Sequence, residues 1–407
     1  MDQMWWQADP SCALAALATR PSAVLDAALL HDVILRVNDW ELCRRLCTDH
    51  GVSVLVYQRF GTLIAQCCPP QIWARWRDGC QALTMECLAR SGELVSVVAQ
   101  LESAHIPVLV VKGPVLGVAF YDGIGLRPFE DLDLVVRSED LERALTMLSR
   151  LGYVPKYALT GALRRGYFRR FGELHLTHAT TGTVIDLHWS LLWQRYGFAA
   201  ALDGAWDRTA TVSIGREPIR TLGTEDLLVY LLIHAAKHGW QCLAWLGDIA
   251  RVILGSAAMD WVRIASTTQR TGSTRLIATG LEICSRLLDA PQQLPASLAG
   301  AAEQRLARDV CWRLLHSPQL CSTGPARPLF YRALERRRDR LRWVHEVLLQ
   351  PTPPDWHVVA LPAALDWLYP LVRAARLMRK HSSLVTHKNQ ADLSHTGSMV
   401  TILEINK

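Results

Sequence analysis

The stretch that decides the fold is Arg127–Val136, RPFEDLDLVV, in which two aspartates stand two residues apart inside an apolar run. Side chains at i and i+2 of a strand leave the same face. Asp131 and Asp133 are therefore expected side by side, with Leu132, Leu134 and Val136 turned the other way into a core. Two like charges that close repel, so the pair needs a cation between them, a shared proton, or the screening of an exposed strand end.

Working outward, the upstream run HIPVLVVKG (His105–Gly113) is short, β-branched and ends in glycine, which predicts a strand followed by a helix from about Val115. Downstream, SEDLERALTMLSRLG (Ser138–Gly152) predicts a helix with Ser138 as its N-cap and Gly152 at its end. ELHLTHATTGTVIDLHWSL (Glu173–Leu191) reads as two alternating runs joined by a Thr-Thr-Gly turn, a hairpin that puts Asp186 and His188 on one face of its second strand. Apolar residues recur at helical spacing before this region, from about Pro21 to Leu101. They do so again after it, from Thr224, a natural N-cap, to about Arg379.

These patterns predict an α+β fold. A small mixed sheet with flanking helices (102–222) is expected between an N-terminal helical region (1–101) and a C-terminal helical domain (223–380). Residues 381–407 have few large apolar side chains and are expected to form a disordered tail.

At 407 residues the chain is too long for one core, and half of it is apolar. A net charge of +6, from 44 Lys and Arg against 38 Asp and Glu, is scattered and leaves anionic ligands slightly favoured. The opening MDQMWWQADPSCALAAL lacks a basic segment ahead of an apolar run, so a cytoplasmic protein is expected. The eleven cysteines show no paired zinc spacing and are expected as buried, reduced thiols. No apolar run reaches the roughly 18 residues of a membrane span.

The chemistry comes from combining three segments. Lys112-Gly113 falls at a strand-to-helix turn, where a helix N-terminus can hold phosphate oxygens. Asp186 supplies a third carboxylate on a neighbouring strand. Three acids at one sheet edge opposite a phosphate-binding turn make a divalent-metal site suited to phosphoryl or nucleotidyl transfer.

With VLVVKG, RPFEDLDLVV, GTVIDLHWSL and TEDLLVYLLIHAAKHGWQCLAWLGDIARVI in place, the sequence from about Val108 to Val252 resembles the polymerase-beta-like nucleotidyltransferases, in particular their uncharacterised nucleotidyltransferase branch. The resemblance implies that Asp131, Asp133 and Asp186 are the catalytic, metal-binding carboxylates and Gly113 the glycine of the nucleotide-binding turn. It implies Mg²⁺ or Mn²⁺ as cofactor, a nucleoside triphosphate (NTP) such as ATP as co-substrate, and a hydroxyl-bearing acceptor, a small molecule or peptide, in a natural-product or polysaccharide setting. A nucleic-acid partner is not expected. Pro114 after Gly113, in place of the Ser or Gly of better-studied members, removes a hydroxyl and an N–H. A catalytically inactive binding protein on the same fold is the alternative.

Other residues carry two readings each. Lys112 is a solvent-reaching strand end or a phosphate ligand. Arg127 contacts phosphate or pairs with Glu130 or Asp131. His188 is a core histidine or touches the substrate. His234 and His238, one helical turn apart, pack or bind metal, with Lys237 beside them on a helix that the resemblance places at the active site; Lys237 and His238 are counted with the nucleotide-binding residues. The arginines of LRRGYFRRFG and LERRRDRLRW are read as wet helix faces, the second with Leu334, Leu341 and Val344 on its apolar side.

Overall fold

The computed structural model describes residues 8–21, 27–157, 161–192, 196–256, 258–291, 300–317, 326–359, 361, 365 and 368–379. The expected tail, 381–407, lies outside them. Two compact units make up the chain, one of residues 1–158 and 168–336, the other of 159–167 and 337–407.

Among the described residues of the first unit, five helices precede the sheet: α1 (Pro10–Thr19), α2 (Ala27–Arg36), α3 (Trp40–Asp49), α4 (Ser53–Cys67) and the long α5 (Pro70–Ser103). α1 is apolar all round and, after a half-buried Pro10, is buried from Ser11 to Thr19, as such a helix must be. Asp9 caps it by accepting from the Ser11 and Cys12 amides.

Five strands follow: β1 (Val108–Val110), β2 (Asp131–Val136), β3 (Tyr153–Pro155), β4 (Glu173–His178) and β5 (Val184–His188), in the order β1-β2-β5-β4-β3. β2 and β5 are parallel and every other pair is antiparallel, which gives the small mixed sheet. One set of alternate side chains, Leu132, Leu134, Leu174, Leu176, Ile185 and Leu187, is buried in the core. The hairpin turn ends in Gly182 at φ +73°, a left-handed conformation natural to glycine.

Helix α6 (Gly113–Phe120) links β1 to β2, and α7 (Leu141–Arg150) follows β2. α7 buries Leu141, Ala144, Leu145 and Leu148 as one stripe. It begins later than its sequence predicts. Ser138–Asp140 form a 3₁₀ turn, and the Ser138 hydroxyl donates to the Trp189 carbonyl instead of capping. Gly152 does end this segment, at φ +95°. After α8 (Gly161–Arg170), the run Thr209–Leu222, which the sequence reading left without structure, forms the hairpin β6 (Thr209–Ile214) and β7 (Glu217–Leu222), and β7 lies beside β1.

The unit closes with α9 (Thr224–Lys237), α10 (Leu243–Leu254), α11 (Trp261–Thr271), α12 (Thr274–Leu288), α13 (Ala301–His316) and α14 (Ala326–Ala333). Gly223, not Thr224, occupies the N-cap of α9, and no side chain caps it. All ten described cysteines are free, and all but Cys67 are buried. No helix among the described residues is long and apolar enough to cross a membrane.

The second unit holds Gly161–Tyr167 of α8 together with α15 (Arg337–Leu348) and α16 (Pro353–Val358). Leu341, expected on an apolar side, is 71% exposed, whereas Asp339 is buried and pairs with Arg342 at 3.6 Å. Asp355, fully buried, closes a capping box with Thr352 and takes Arg373 and Arg376 at 3.2 and 2.5 Å.

Candidate active site

The strand register builds the site. Asp133 stands directly opposite Asp186 in the parallel β2–β5 pair, with Asp131 opposite Val184 and Val135 opposite His188. On the other side of β5, Asp186 faces His175 and His188 faces Glu173. Alternation therefore places Asp131, Asp133, Asp186, His188, His175 and Glu173 on one face of three adjacent strands, with the leucines on the other.

Lys112, between β1 and α6, reaches this face. Its Nζ lies 2.9 Å from Asp133 Oδ1, and His188 Nε2 meets the same oxygen at 3.1 Å. Burial alone would raise the Asp133 pKa, but the Lys112 ammonium and His188 outweigh it and hold the carboxyl down to about 2. Burial likewise opposes the Lys112 charge, and Asp133, Tyr230 and Asp131 overcome it, keeping the amine protonated well above its ordinary range. The lysine achieves this from an unusual backbone, φ +68° and ψ −150°, a region that side-chain-bearing residues rarely adopt. Gly113 follows at φ +48°; a Cβ there would meet only ordinary contacts, so the backbone angle itself favours glycine. Pro114 sits in the first turn of α6.

Asp131 differs from its neighbour. Among the described residues, none donates a hydrogen bond to its carboxylate, and burial followed by the Asp133 charge raises its pKa to about 6. Asp186 is held by His175, whose Nδ1 meets its Oδ1, and this contact raises the His175 pKa. A polar chain continues outward, with His188 Nδ1 3.6 Å from Glu173 Oε2 and Lys237 Nζ 3.8 Å from Glu173 Oε1. Lys237 ends α9, which thus lies over the same sheet face.

Single ligand atoms of Asp133, Asp186 and His188 lie within 4.8 Å of one another, close enough to share an ion. This trio overlaps the expected Asp131, Asp133 and Asp186 but substitutes His188 for Asp131. The donor set fits a hard divalent cation, because carboxylate oxygens dominate and the half-buried Asp131 carboxylate beside Asp133 receives no hydrogen bond among the described residues.

Arg127 has a different partner from those its sequence neighbours offered. Its Nε and Nη2 donate to Asp248 Oδ1 and Oδ2 at 2.8 and 2.7 Å, and Tyr121 donates to the same carboxylate at 2.7 Å. The guanidinium fork that a phosphate would use is held by Asp248 on α10. His234 and His238 lie at the end of α9 and make ring contacts with each other and with Trp245.

Glu173, His175 and Asp248 were missed by sequence reasoning. The first two had a readable signal, since a hairpin closed at Thr180-Thr181-Gly182 sets both opposite Asp186 and His188. Asp248 had none, because its partner lies 121 residues away.

No curated protein matches this chain. A protein-family model described as an uncharacterised nucleotidyltransferase matches residues 36–289, a span that runs from the end of α2 past α12 and contains the whole sheet, Lys112 and every residue on its polar face. With more than half its length matched, the chain belongs to the uncharacterised nucleotidyltransferase family.

Proposed function

We propose that the protein transfers a nucleoside monophosphate from an NTP to a hydroxyl of a small-molecule or peptide acceptor, with Mg²⁺ or Mn²⁺ as cofactor. The observation that carries this reading is the direct pairing of Asp133 with Asp186 across parallel strands, with an unpartnered Asp131 on the same face. These carboxylates would hold a divalent ion, which would neutralise phosphate charge and ease ionisation of an acceptor hydroxyl.

The chain's own residues do the rest. Lys112 is within reach of both the carboxylates and the N-terminus of α6, where it meets a phosphate oxygen. Gly113 lets the backbone approach that oxygen. Asp186, fixed at Oδ1 by His175, turns its other oxygen to the acceptor hydroxyl and takes its proton. The acceptor oxygen bonds to the α-phosphorus while the bond to the bridging oxygen breaks, and pyrophosphate leaves. Lys237, beside Glu173, lines the same face. A natural-product or polysaccharide pathway would supply such an acceptor.

Two observations favour a second reading, a fold that binds nucleotides without turnover. Lys112 already neutralises Asp133, and Pro114 withholds one amide from the turn. Label transfer decides between the two. An NTP labelled at the α-phosphate, incubated with Mg²⁺ and a panel of hydroxylated metabolites and peptides, should mark at least one acceptor, and Asp186→Asn should abolish the transfer. Tight NTP binding with no acceptor marked would favour the second reading.

A further inference from the structure

Beyond the carboxylates, the C-terminal half of α9 and the start of α10 carry a cluster of aromatic rings. Tyr230, His234 and His238 lie at i, i+4 and i+8, on one side of a helix. The Tyr230 and His234 rings are 6.1 Å apart and nearly parallel, at 25°. His234 and His238 follow at 4.9 Å. Trp245 of α10 closes on both histidines, at 5.4 Å from His234 and 5.0 Å from His238.

Three properties set this cluster apart from core packing. Tyr230 is buried, but His234, His238 and Trp245 are each only half-buried, so part of their surface faces solvent. Among the described residues, no hydrogen bond reaches the ring nitrogens of either histidine or the indole N–H, so three polar ring edges stand without protein partners. The cluster also begins at the carboxylates, since the Lys112 ammonium lies 6.0 Å from the centre of the Tyr230 ring. From Tyr230 to His238 the helix rises about 12 Å, a span that phosphates and a ribose can bridge.

The rings do not suit an anion. Burial, then the nearby lysines, lower the His238 pKa to about 3 and depress that of His234 as well, so both imidazoles are neutral at physiological pH. Neutral, partly exposed rings with unused donors and acceptors suit a planar heteroaromatic group that stacks and hydrogen-bonds by its edge.

We infer that His234, His238 and Trp245 form the subsite for the nucleobase of the NTP whose phosphates lie at Lys112 and the carboxylates. This inference rests on the nucleotidyl-transfer reading and adds the base-binding surface to it. Lys112 and Lys237 flank the path between the two ends.

The test compares an NTP with ribose 5-triphosphate, which lacks only the base, by calorimetry with Mg²⁺. Wild-type protein should bind at least one of the four common NTPs roughly ten- to a hundredfold more tightly than the base-free analogue, as stacking on an aromatic side chain supplies. Trp245→Ala and His238→Ala should each erase most of that advantage and leave the affinity for ribose 5-triphosphate unchanged, and Trp245→Phe should keep most of it. Equal binding of both ligands by the wild type would overturn the inference and leave the phosphate site intact, as would an acceptor ring occupying the cluster instead. An advantage that survives in both alanine variants would overturn it too. Should an alanine variant fail to fold, the wild-type comparison and Trp245→Phe still decide. If neither ligand binds, the nucleotidyl-transfer reading itself fails.

Discussion

Lys112 and Asp133 hold each other at 2.9 Å, with side chains 12% and 2% exposed, at the point where β1 gives way to α6. The lysine supplies a tethered positive charge to the most buried carboxylate of the site, from a backbone conformation that costs energy. Removing one member of a buried pair leaves the other charge uncompensated, at a cost of roughly 3–5 kcal/mol. Because His188 still donates to Asp133, Lys112→Ala is expected near the lower end of that range in chemical denaturation. Adding Asp133→Asn to it should recover most of the loss. Lys112→Gly removes the same charge but accepts φ +68° freely, so it should be about 1 kcal/mol more stable than Lys112→Ala. Equal stability of the two would show that the backbone there is relaxed.

Asp131 gives a pH dependence with a definite sign. Its folded pKa is raised to about 6, above the value near 4 of an unfolded aspartate. The folded state therefore binds the proton more tightly, and without divalent metal stability falls as pH rises from about 4 through about 6. Asp131→Asn should flatten that part of the profile and melt a few degrees higher than wild type at pH 7.5. Thermal melts in chelator across this range check it, and a wild-type profile that rises over the same window would contradict it.

Arg127 and Asp248 are expected to act as a structural clamp between the approach to β2 and α10. Either Arg127→Met or Asp248→Asn should cost roughly 3–5 kcal/mol, and the double variant clearly less than the sum of the singles. A double-mutant cycle measures this. Additive losses would mean that the pair is not coupled.

His175 is expected to position Asp186. His175→Ala should lower turnover with little change in melting temperature or in NTP affinity, and His175→Gln should restore part of the turnover by keeping a donor at Asp186. A matched loss of stability and turnover would assign His175 a purely structural role.

Much of the site could be read from local pattern. The period-two alternation of Asp131–Val136 and Glu173–His188 separates acids from leucines, and the hairpin turn fixes its own register, so a common face for Asp131 and Asp133, and another for Asp186 and His188, follows from the chain alone. What local pattern cannot supply is which strands become neighbours. The parallel pairing that sets Asp133 against Asp186 joins segments 53 residues apart and depends on the helices and strands that lie between them. Arg127 illustrates the same limit. Nearby Glu130 and Asp131 were the visible partners, yet Asp248 wins because it is buried and offers both oxygens to the guanidinium fork. The caps at Ser138 and Thr224 fail for a related reason. Each residue has the right side chain, but the Ser138 hydroxyl is taken by the Trp189 carbonyl, and Thr224 lies one position inside its helix.

The most direct measurement is calorimetry of NTP binding, with and without Mg²⁺, on the wild type and on Asp131→Asn combined with Asp133→Asn. The carboxylates are expected to make binding metal-dependent, so the wild type should bind an NTP more tightly with Mg²⁺. The double variant, still folded by its melting curve, should lose that increment. Failure of all four common NTPs to bind the wild type at millimolar concentration with Mg²⁺, or an undiminished increment in the double variant, would contradict the assignment of this sheet face as a nucleotidyl-transfer site.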